Sequence, residues 1–224
     1  MSKRAIALQL IGYAALLALI YTWLGIADRS IWQVLLSLLL GAAIVFGTVW
    51  LFGAALAAPA RFELRRLPKL ILWLLVAAAL IIGATWLAGY RPTAGAKLAA
   101  RLTLWFRHPV KPQLMGSVYV TFLWIAGAAA VLAVLPFASG AAEGLYRGAA
   151  SALRERRYWL GCALAVLAGV WLPRLLAGWV PKAQSLNGQF ASMLIRLGLA
   201  YVIAVAAWLA LARLARFYRS AATR

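Results

Sequence analysis

Two arginines stand where lipid-facing sequence would carry none. Arg174 lies in an apolar run from Tyr158 to Val180, and Arg196 in a second from about Leu186 to Ala212. A guanidinium offers a planar pair of donors that matches phosphate or carboxylate oxygens, so the chemistry open to these residues is anion binding. An arginine at the centre of a membrane helix carries an insertion penalty of about 2.5–3.5 kcal/mol, eased when the side chain reaches the interface. The short turn between the runs, with Pro181 and Asn187, makes them antiparallel neighbours. Both arginines then fall on the order of 10 Å inside the same boundary, at 1.5 Å of rise per residue. Gln189, Ser192, Arg196, Ala200 and Ala204 share one small, partly polar face, which suits protein better than lipid. The spacing thus defines a candidate anion or lipid site of Arg174, Arg196, Gln189 and Ser192. The competing explanation is that both arginines only snorkel to the headgroups.

Few other residues could do chemistry. The chain has one histidine, one aspartate and one cysteine, which excludes HExxH zinc sites, aspartyl dyads, disulfides and CxxC pairs. Haem held by two histidines is excluded as well. His108 sits beside Pro109 in a polar loop, as expected of a solvated side chain. Cys162 follows that histidine, against the order a Cys-Arg-His site requires. Glu143 and Arg147 are spaced to pair at i, i+4, with no second glutamate or histidine cluster to extend them. No P-loop, GxSxG, GxGxxG or acidic cluster for magnesium occurs. The chain is expected to have no catalytic residues, no cofactor and no metal.

The elements that position these residues follow from composition. Of 224 residues, 66% are apolar and the mean hydropathy is +0.90, far above soluble domains. Continuous Ala- and Leu-rich runs predict helices, because backbone groups in lipid must bond internally. The expected fold is an all-α polytopic integral membrane protein with about six transmembrane helices in one bundle, a single domain over 1–224. Six runs reach the roughly 20 residues a crossing needs: 5–27, 31–57, 70–90, 114–138, 158–180 and 188–212. The first follows Lys3 and Arg4 and is too long for a cleaved signal core.

The 23 basic residues, against four acidic ones, gather at the ends of the runs, as expected of topology control and anionic headgroup contact and not of nucleic-acid binding. With the N-terminus inside, fourteen lie on inner segments and seven on outer ones. The count places both termini in the cytoplasm of an inner membrane. Five of the seven crowd the 91–113 loop. There, Leu98, Leu102 and Trp105 against Lys97, Arg101 and His108 predict an amphipathic segment over 96–107 in the headgroup plane. The alternative is a cytoplasmic loop with 70–90 re-entrant.

Gly140, Gly144 and Gly148 recur at intervals of four, as do Gly161, Ala165 and Gly169. Both series predict small-residue faces for helix packing. Trp159 and Tyr158 are expected in an interfacial aromatic belt, as are Trp23, Trp32, Trp86, Trp171 and Trp179. The expected role is a non-catalytic structural or accessory subunit of a membrane assembly, with lipids and other membrane subunits as partners. The alternative is a small transporter or lipid-binding or lipid-flipping protein using Arg174 and Arg196.

Overall fold

A computed structural model describes residues 3–26, 30–58, 62–179 and 185–221. The chain is an all-α polytopic bundle, with no strand among the described residues. Its elements are α1 (Lys3–Leu24), α2 (Ile31–Ala57), a 3-10 turn (Leu64–Arg66), α3 (Leu67–Ala88), α4 (Arg91–Phe106), α5 (Pro112–Glu143), the one-turn α6 (Ala149–Ala152), α7 (Arg156–Val166), a π-helical stretch (Leu167–Trp171), α8 (Leu172–Gly178) and α9 (Leu186–Ala221). Six helical stretches are long and apolar enough to cross a membrane, the fifth being α7 through α8. Ala27, Arg29, Arg61, Val180, Pro181, Lys182 and Arg224, which enter the span ends, the hairpin turn and the count of basic residues above, lie outside the described set.

Two compact units divide the chain: Met1–Ile71 with Pro136–Arg224, and Leu72–Leu135. One division falls at Pro136, inside α5. A proline there cannot donate to the carbonyl four residues back.

In the first unit, α9 is the central column, packed against α1, α2, α6, α7, the π-helical stretch and α8. Small residues set the distances. A Cβ on Gly12 would lie 2.7 Å from a Leu51 methyl and one on Gly47 2.9 Å from a Leu16 methyl, so α1 and α2 meet through glycines. Polar groups bond across helices: Gln9 Nε2 donates to the Leu51 carbonyl at 3.0 Å, and Tyr201 OH donates to that of Leu10. Trp208 stacks on Phe52 with centroids 4.2 Å apart. Trp50 meets Phe62 edge-on at 5.5 Å. Tyr158 is fully buried, with Trp159 and Tyr218 edge-on to it. It is therefore a core residue and not a member of an interfacial belt.

In the second unit, α4 extends the expected 96–107 segment toward its N-terminus and ends one residue before 107, and the residues it packs are small ones. Gly95 and Ala99 are buried, whereas Trp105 is 78% exposed. A Cβ on Gly95 would lie 2.6 Å from the Pro112 carbonyl. Apolar side chains have nothing to gain by hiding from lipid, so the smallest residues take the contact. Arg91 donates to Ser117 at 2.9 Å along the same hairpin. Arg107 in the left-handed region ends α4.

Candidate functional site

The glycine series after the fourth apolar run is not a helical face. Helix α5 ends at Glu143, and Gly144 (φ +77°) and Gly148 (φ +81°) are turn residues. The Leu145 N–H bonds the Gly140 carbonyl at 2.8 Å and the Gly144 N–H that of Ala141 at 3.3 Å, the pattern of a Schellman cap. Gly140 is needed because the returning chain crosses over it, with a built Cβ 2.8 Å from the Leu145 carbonyl. Intervals of four read as a helix face only while the helix lasts. By contrast, Gly161 would place a Cβ 3.0 Å from Leu214, Gly169 one 2.6 Å from Ala207, and Ala165 is buried. This second series lies along α9.

The cap delivers Glu143 to a cluster of charges. Its carboxylate pairs with Arg216 at 2.5 Å and with Arg219, both on the last turns of α9. Arg219 is 3% exposed and also donates to the Leu145 carbonyl. Arg216 donates to the Ala58 carbonyl at the end of α2. Arg66 donates to the Ala142 carbonyl at 3.3 Å and to Glu63 at 3.2 Å. Arg65 pairs with the other Glu63 oxygen, and its hydrogen bond is the main cause holding that carboxyl below the ordinary glutamate value. The ends of α2, α5 and α9 are thereby tied at one end of this unit. The expected Glu143–Arg147 pair does not form: Arg147 is exposed in the turn beyond the helix end, and its neighbours on α9 take the carboxylate instead. The sequence carries one signal for this, the spacing of Arg213, Arg216 and Arg219 by threes, which extends a helix past its apolar run.

The two intramembrane arginines are placed differently. Pro173 follows the π-helical stretch, whose wider turn accommodates a ring that clashes with an ordinary helical carbonyl. The helix then continues to Gly178, carrying Arg174 on its exposed side. Arg196 is half-buried and donates Nε to the Ser192 carbonyl at 3.2 Å and Nη1 to the Trp179 carbonyl. It therefore closes the end of α8 against α9. Gln189 is exposed and Ser192 half-buried in the first turns of α9. Arg196 and Ser192 come together through a backbone bond, and Arg174 makes no hydrogen bond or ion pair with either among the described residues. Arg174 sits five residues before Trp179, roughly 7–8 Å along the axis.

Among the described residues no three His, Cys, Asp or Glu side chains gather as metal ligands. Cys162 is buried as a free thiol, in no disulfide. Fold and charge placement together define a multi-span helical membrane protein. No protein family, curated protein or solved structure matches the chain.

Proposed function

We propose that the chain is a non-catalytic, multi-span protein of the cell inner membrane that serves as a structural or accessory subunit of a membrane assembly. One observation carries this reading: several buried or half-buried polar groups of the first unit are turned onto backbone carbonyls and onto each other. Gln9, Tyr201 and Arg196 each donate to a carbonyl of another helix or hairpin end, and Glu143 is taken by Arg216 and Arg219. A groove of about 420 Å³ between α1 and α2 is lined by apolar groups such as Leu16, Phe46, Trp50 and Leu64. Such a chain offers its surroundings shape and lipid-compatible charge in place of reactive groups.

The orientation we infer has both termini in the cytoplasm, following the basic bias. An even number of crossings is supported by Ile6 and Arg213 lining one groove, since α1 begins and α9 ends at that end. The partners are anionic lipid headgroups and other membrane subunits, with no nucleic acid.

Purification of the tagged chain in mild detergent should recover a stoichiometric membrane partner. Recovery as a lone monomer that converts a lipid or carries flux after reconstitution would overturn the proposal. Flux lost on replacing both Arg174 and Arg196 by Gln would favour the transporter or lipid-flipping alternative.

A further inference from the structure

A second groove runs between α1 and α9, about 230 Å³ in volume, with walls of Ile6, Leu10, Val202, Ala206 and Leu209 and with Arg213 at one end. On α1, Lys3, Ile6 and Leu10 share a face, so Lys3 comes one turn beyond Ile6 at the same end as Arg213. The deep end is fixed by the Tyr201 hydroxyl on the Leu10 carbonyl. From Val202 to Arg213 is eleven residues, about 16 Å of helix. One leaflet of a bilayer core about 30 Å thick is about 15 Å deep. The groove is therefore as long as a leaflet, apolar along its length and basic at its mouth.

Arg213 differs from its neighbours on α9. Arg216 and Arg219 turn inward to Glu143, and Glu63 is taken by Arg65 and Arg66. Arg213 is exposed and has no carboxylate partner among the described residues. A guanidinium at that depth matches a phosphate, and the wall beneath it matches hydrocarbon.

We propose that this groove is a binding site for an anionic phospholipid, with an acyl chain along α1 and α9 and the phosphate held by Arg213 and Lys3. The site is separate from the Arg174 and Arg196 region and stands whether or not the chain is a subunit of a larger assembly. The test is native mass spectrometry of the delipidated full chain in detergent, titrated with phosphatidylglycerol or phosphatidylcholine. Wild type should retain phosphatidylglycerol preferentially. Arg213→Gln should lower that retention roughly tenfold, the loss of one charge-assisted contact, whereas Arg213→Lys should keep most of it. Ala206→Trp, which fills the groove, should lower retention of both lipids. The melting transition of each variant separates lost binding from lost folding, and the lysine variant keeps the question open to an answer if the others melt early. Equal retention of the two lipids by wild type, or unchanged phosphatidylglycerol retention in Arg213→Gln, overturns the site. So does a wild-type dimer that Ala206→Trp makes monomeric without changing lipid binding, because a second copy would then be the occupant.

Discussion

Replacing Glu143 by Gln removes the one negative charge that holds two arginines at the end of α9. The side chains of Glu143 and Arg219 are 11% and 4% exposed, and that of Arg216 is 29% exposed. Breaking a buried pair by removing one partner costs about 3–5 kcal/mol, mostly because the other charge stays buried. Arg219 keeps its bond to the Leu145 carbonyl and Arg216 its bond to Ala58, and glutamine still offers an oxygen. The expected loss is therefore at the lower end, about 3 kcal/mol, or roughly a hundredfold in the unfolding equilibrium. Unfolding in mixed micelles of mild detergent and dodecyl sulfate, read by tryptophan fluorescence, measures it. Adding Arg219→Met to Glu143→Gln should restore much of the stability, because the stranded cation is gone. Arg147→Ala should change stability by no more than about 0.5 kcal/mol. A Glu143→Gln protein as stable as wild type, or a larger loss from Arg147→Ala, would refute the reasoning.

Gly169→Ala, whose added carbon would lie 2.6 Å from the Ala207 Cβ, should cost about 1–3 kcal/mol in the same assay through overpacking. Gly83→Ala, with nothing within 4 Å of the added carbon, should be neutral or gain up to about 1 kcal/mol from helix propensity; equal effects at the two sites would discredit the packing account. Gly144→Ala forces a side chain onto φ +77° and should cost about 1–2 kcal/mol, with Gly144→Asn milder, and no loss in either would remove the cap. For Glu63, held below the ordinary glutamate value first by the Arg65 hydrogen bond, the stabilisation is present above that ordinary value and is lost as pH falls through the lower folded one. Stability from this group should be intact at about pH 5 and decline only below about pH 4. Glu63→Gln should flatten that part of the acid limb, and an unchanged acid slope would count against the pair.

Six crossings are readable from the sequence because each run of apolar residues is long enough to span lipid. The ends are less so. The fourth run was expected to stop at 138 and the sixth at 212, yet α5 reaches Glu143 and α9 reaches Ala221. Hydropathy marks where lipid ends, and a helix can continue past that point when its polar residues find partners, as Arg216 and Arg219 do with Glu143. The same limit hid the charged cluster: Arg219 and Glu143 are 76 residues apart, and the spacing of Arg213, Arg216 and Arg219 by threes extends a helix without naming its acidic partner. Small residues were legible as packing positions where a helix persists, at Gly161 and Gly169, and misleading where it stops, at Gly144 and Gly148. On α4 the periodicity located the helix, but it did not point to Gly95 and Ala99 as the residues taking the protein contact, because lipid does not sort leucine from glycine as water does. Arg174 and Arg196 were placed at similar depth by counting residues, but counting gives no azimuth. Arg196 turns to the Trp179 carbonyl while Arg174 faces outward.

The knot of charge around Glu143 also bears on the order in which the chain is made. Arg219 leaves the ribosome 76 residues after its carboxylate partner, which at 5–20 residues per second is a wait of about 4–15 s. Until then Glu143 has no cations from α9, and the turn at Gly144 is held only by its own cap and by Arg66. A ribosome stalled before Arg216 should therefore leave this turn open to added protease, and release of the remaining residues should close it.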